Sequence, residues 1–119
     1  MMYIKLGNEK MNWYSGLYVS ESAKRKQRKI IRKLKTNAGM PDVYLITFAS
    51  NGVDLFDIIS SAYLQQKAVR RNLPMILGIA CGYEEAVELM ALIVQETIQN
   101  TGSVNVRQYL AEKVIKERK

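Results

Sequence analysis

Val43-Tyr44-Leu45-Ile46-Thr47-Phe48-Ala49 is almost unbroken apolar sequence, rich in β-branched and aromatic residues. Such a run fits a strand covered on both faces, because no alternation with polar residues marks a wet side. Met75-Ile76-Leu77-Gly78-Ile79-Ala80 has the same character. Two doubly buried strands need helices above and below them. These two stretches therefore set the fold class as α/β, with both strands central in the sheet.

The flanks supply the helices. Asn51-Gly52 reads as a turn and residues 53–72 as a helix, with Leu55, Phe56, Ile59, Ala62, Tyr63 and Val69 on its buried face. Asp54 and Asp57 fall in its first turn and Arg70-Arg71 in its last, signs that suit the helix dipole. Pro74 stops it. After the second strand, Cys81-Gly82 turns the chain into a helix over 84–101, with Val87, Met90, Ala91, Val94 and Ile98 in one stripe. Gly102 ends that helix. Asn105 with Gln108 three residues on is a capping-box pattern, and it opens a last helix over 106–116.

Toward the N-terminus, Tyr3–Leu6 and Gly16–Ser20 are short strand candidates. Residues 21–36 read as a helix whose Ala23, Gln27, Ile30, Ile31, Leu34 and Ala38 share one face, with Gly39 placed to end it. The order is β-β-α-β-α-β-α-α. It predicts a small three-layer α/β domain over residues 1–119, a mostly parallel four-stranded sheet with helices on both faces. The Tyr3 strand is the expected edge.

The helix at 21–36 carries the main functional signal. Eight of the eighteen Lys and Arg residues lie between Lys24 and Lys35, and no acid interrupts them. The net charge of +7 comes from this segment; the remainder holds ten bases and eleven acids. A localised positive field implies a localised anionic partner. Stability alone favours interspersed acids, because like charges at i,i+4, such as Arg25–Lys29, Arg28–Arg32 and Lys29–Lys33, repel. The expected function is non-enzymatic binding of RNA or DNA through phosphate contacts from Lys24, Arg25, Arg28, Lys29, Arg32 and Lys35. Two blander uses compete: a solvated face, or docking on acids of residues 41–105, which hold seven acids against three bases.

Two other function classes stand beside it. An assembly module would pair the basic helix with an acidic protein or with a second copy in a homodimer. A ligand-binding or enzymatic domain would use the strand-end turns at Asn51-Gly52 and Cys81-Gly82, where open α/β sheets place ligands. Neither turn carries a glycine-rich phosphate motif, and acids at both helix starts oppose a phosphate. Cys81 reads better as a small strand-end residue than as a nucleophile, since Glu84 and Glu85 work against a thiolate. Pro41-Asp42 lacks the downstream acid and lysine of a nuclease motif. Trp13, Tyr14 and Tyr18 read as the closure of one end of the core rather than as a base-stacking platform.

Composition narrows the chemistry further. With no histidine, imidazole bases and His-containing zinc sites are excluded. No catalytic residue, metal ligand or cofactor is assigned. One cysteine cannot form an internal disulfide, and the first ten residues lack a secretory pattern. The longest apolar run, Leu89 to Val94, is far short of a membrane span. A cytoplasmic setting without a membrane partner is expected.

Overall fold

The structure, a computed structural model, describes residues 11–36, 40–51 and 55–117. In chain order these form β1 (Trp13–Val19), α1 (Glu21–Lys24), α2 (Gln27–Lys35), β2 (Val43–Phe48), β3 (Phe56–Ser60), a 3-10 turn (Ser61–Gln65), α3 (Lys67–Asn72), β4 (Ile76–Cys81), α4 (Tyr83–Thr101) and α5 (Val106–Glu117). The sheet order is β1-β4-β2-β3, so the two apolar strands are central as their composition requires. The Tyr3–Leu6 strand candidate lies outside the described residues.

The sheet is not mostly parallel. β1 runs parallel to β4, but β2 is antiparallel to both β4 and β3. The cause lies in residues 53–72, whose first part is a strand rather than a helix. Phe56, Ile58 and Ser60 pair with Phe48, Ile46 and Tyr44. Adjacent Ile58 and Ile59 are β-branched and fit a pleated surface better than a helix. A parallel partner for β2 would need a crossover of about a dozen residues or more, which the short link to Phe56 cannot supply. Only the 3-10 turn and α3 remain of the expected helix. Asp57 therefore sits on a strand, where its carboxylate accepts the Ser50 N–H at 3.4 Å. Asp54 and Gly52 lie outside the described residues.

Helices do cover both faces. Tyr14, Ile46, Leu77, Ala80, Leu89, Ile93 and Leu110 form one core, under α4 and α5. Ala23, Ile30, Leu34, Val43, Leu45, Leu64, Ile76 and Ile79 form the other, under α1, α2 and the 3-10 turn. Both faces of β4 are thus buried, but its alternation slips. Ile46 pairs with Gly78 and Thr47 with Ile76, which leaves Leu77 as an unpaired bulge residue. Gly78 permits this packing, since a Cβ there would lie 3.2 Å from the Tyr18 carbonyl and 3.1 Å from Leu89.

The caps of the last two helices follow the sequence. Gly102 is left-handed at φ 73° and its N–H bonds the Ile98 carbonyl at 2.8 Å. The Asn105 side-chain oxygen accepts the Gln108 N–H at 3.3 Å. The core reading of Tyr14 also holds: it is buried, and its hydroxyl donates to the Leu110 carbonyl at 2.8 Å.

Candidate nucleic-acid interface

The basic segment is seated as its apolar stripe dictates. Ala23, Ile30 and Leu34 are buried, with Gln27 and Ile31 half-buried beside them. Ala38 and Gly39 lie outside the described residues. Each fully buried Ile or Leu is worth about 1.5–3 kcal/mol, enough to hold a helix that repels itself electrostatically. The helix is not continuous. Lys26 leaves the helical region at φ −112° and ψ 17°, and its N–H bonds Ala23 at 3.1 Å. The segment is therefore α1, a break, and α2. Arg25 caps α1 and lies outside α2, so the expected Arg25–Lys29 clash is not one between neighbouring turns of a helix. The Arg28–Arg32 and Lys29–Lys33 pairs remain within α2.

The break shapes the surface. Lys24, Arg25, Lys26, Gln27, Arg28, Lys29 and Arg32 line a shallow groove of about 660 Å³. A second depression of about 420 Å³ runs beside Arg28, Ile31, Arg32, Lys35 and Thr36. Lys24, Arg25, Arg28, Lys29, Arg32 and Lys35 are all exposed, and between them they line these two depressions, which share Arg28 and Arg32. Lys26 belongs with them, although sequence reasoning did not select it.

Among the described residues these cations are barely paired. Lys24 pairs with Glu21 at 2.9 Å in an exposed contact. Among the described residues no other base of the segment has an ion pair. The first turn of α2 contains no acid, and no side chain caps it. Arg28 and Lys29 thus stand at the positive end of a helix dipole, so backbone and side chains both favour an anion. Glu85 and Glu88 of α4 line a pocket with Lys24, but among the described residues no acid of 41–105 forms an ion pair with the segment, and Glu85 instead accepts the Ser22 hydroxyl.

Arg70 is the residue that sequence reasoning missed. It is only 6% exposed, and its guanidinium donates to the Leu34 carbonyl at 2.8 Å, Leu64 at 3.3 Å and Lys35 at 3.4 Å. It therefore joins α3 to the last turn of α2, where a cation suits the dipole. As a result Lys67 and Arg71, both exposed on α3, share this layer. Its elements, residues 21–35 and 61–72, hold eleven Lys and Arg against Glu21 alone.

The opposite layer handles charge differently. One Glu96 oxygen accepts from Tyr18 at 2.7 Å, Tyr109 at 2.6 Å and Lys113 at 2.8 Å, and Lys113 also reaches the Tyr18 oxygen at 3.0 Å. Burial alone would raise the Glu96 carboxyl, but these donors outweigh it and hold it below its usual range. Burial and the Glu96 contact push Tyr109 up to about 12 and raise Tyr18 further. The group is internally satisfied and ties β1, α4 and α5 together. Its tyrosines are used for packing.

The strand-end turns part company. After Asn51 the next described element is the strand β3, paired with β2, and not the expected helix. Cys81-Gly82 does stand at the end of the parallel β1–β4 pair. There the Ser20 oxygen accepts the Cys81 N–H at 3.2 Å. The Ser20 and Ser22 hydroxyls hold the Glu85 carboxyl below its usual range. A carboxylate from the chain itself thus occupies this helix N-terminus. Among the described residues no cluster of three metal-ligating side chains exists, and no helix is long and apolar enough to cross a membrane.

The chain matches no protein-family model, and no curated protein or solved structure is a match for it.

Proposed function

We propose that the protein binds RNA or DNA through the face made by α1 and α2, with Lys24, Arg25, Arg28, Lys29, Arg32 and Lys35 contacting phosphates. One observation carries this reading: a groove lined by six Lys and Arg side chains, of which only Lys24, among the described residues, has an ion pair, an exposed one to Glu21. Cations left unpaired and set on a rigid helix gain their full interaction energy from an outside anion. Contacts of this type give affinity and strong salt dependence but little sequence preference. A reducing cytoplasm fits the lone cysteine.

A mobility-shift titration with generic RNA and DNA at two salt concentrations tests the proposal. Binding should weaken steeply with salt, and Arg25→Glu, Arg28→Glu and Arg32→Glu together should abolish it. Retention of affinity by that triple variant would refute it.

Charge complementarity favours a second reading, self-association. Residues 83–117, which form the layer across the sheet, hold six acids and three bases. A second copy could set this layer against the basic one. Sedimentation at low salt checks it; a monomer at high concentration rejects it.

A further inference from the structure

We infer that the polyanion is a B-form DNA duplex and that α2 is the element entering its major groove, an inference that rests on the reading above. Charge is distributed around both sides of α2. At 100° per residue, the exposed Arg28 and Lys35 stand on one flank, the exposed Lys29 and the half-buried Lys33 on the other, and Arg32 lies near the crown. Together they span roughly 160° of the helix surface, and Ile30 and Leu34 are buried on the far side. Both flanks are positive.

A single strand carries one row of phosphates and would engage one flank. The groove of a duplex has a phosphate row on each side. A helix with its side chains is about 10–12 Å across, and the B-form major groove is about 12 Å wide. The narrow, deep major groove of an RNA duplex does not admit such an element. Single-strand binding surfaces rely on successive aromatic platforms. Residues 21–36 contain no aromatic residue, and the layer exposes only Tyr63. α2 is also the longest helix of its layer, at nine residues against four in α1 and six in α3. Base reading has little to work with at the crown, where Arg32 stands alone.

The test is fluorescence anisotropy with a 20-base-pair DNA duplex, its single strand and the matching RNA duplex. Two flank variants are compared with the wild type: Arg28→Ala with Lys35→Ala, and Lys29→Ala with Lys33→Ala. Alanine is the best helix former, so these variants keep the helix, and a thermal melt confirms it. The DNA duplex should bind about tenfold more tightly than either other probe. Each flank variant should lose roughly tenfold in duplex affinity and lower the salt slope by about 1.8, as for two lost phosphates. Equal or tighter binding of the single strand or RNA duplex would overturn the inference while leaving polyanion binding intact. So would a flank variant with unchanged duplex affinity. If the wild type binds no nucleic acid at all, the underlying reading fails with it.

Discussion

The two helical layers use charge in opposite ways. Between α4 and α5 one half-buried acid is matched by a base: Glu96 accepts from Lys113 and two tyrosines, and the group joins a strand to two helices. Across α1, α2 and α3 most of the cations face solvent without an acid, and the one buried cation, Arg70, serves backbone carbonyls. The difference separates structural charge from charge kept for a partner. A paired charge has its interaction energy inside the fold, whereas an unpaired one costs stability until something binds.

Substitutions can break or sharpen this contrast. The largest expected effect is on binding alone. Arg25→Glu, Arg28→Glu and Arg32→Glu together should lower nucleic-acid affinity at least about a hundredfold, with the melting temperature unchanged or raised. A triple variant that binds within threefold of wild type would erase the distinction between the layers. Next comes Arg70→Met. It leaves the last carbonyls of α2 without their donor, and urea denaturation should show a loss of about 2–4 kcal/mol. Arg71→Met, exposed one residue away, should stay within about 0.5 kcal/mol. Equal losses at both positions would mean that Arg70 is not a structural charge.

On the opposite layer, Glu96→Gln should cost about 1–2 kcal/mol and flatten the acid limb of the stability profile. The folded Glu96 carboxyl is held below its unfolded value. Its contribution is therefore complete above the unfolded value near ~4.3 and is lost as pH falls through the folded one. Tyr109 has the opposite sign, since its folded value is raised to about 12. Its contribution is complete below about 10 and is lost as pH rises toward the folded value. A pH series of melts checks both limbs, and an unchanged acid limb in Glu96→Gln would remove Glu96 as its source. The smallest effect is Lys29→Glu. It puts an acid in the first turn of α2 and four residues before Lys33, so stability should rise by about 0.5 kcal/mol while binding weakens. A variant that gained stability and kept its affinity would show that Lys29 is not a binding charge.

Much of this was legible along the chain. The central strands, the cap at Asn105, the stop at Gly102 and the stripe through Ala23, Ile30 and Leu34 depend on local pattern, and each took its expected place. The segment at 53–72 was misread for a definable reason. Phe56, Ile59, Tyr63 and Val69 satisfy helical spacing, but Phe56-Asp57-Ile58-Ile59 also satisfies strand alternation. What chose between them was pairing with β2, a cross-strand partner that the spacing within 53–72 does not show. Of the candidate site, the basic residues and the face they share were readable from spacing. The break at Lys26 and the role of Arg70 were not, because a guanidinium 36 positions from Leu34 meets it only after the sheet has formed.

The sequence by itself determined that the chain is α/β, which strands are central, and that a run of cations sits on helical sequence seated by an apolar stripe, because hydrophobic period and net charge are local properties. Only the tertiary structure decided that one strand pair is parallel and two antiparallel, and that the basic helix bends into a groove. It alone also revealed that Glu96 and Lys113 pair within one layer while Arg70 ties α3 to α2 in the other. Those outcomes depend on which distant segments compete for the same sheet edges and carbonyls, and such competition is settled only when the chain is folded.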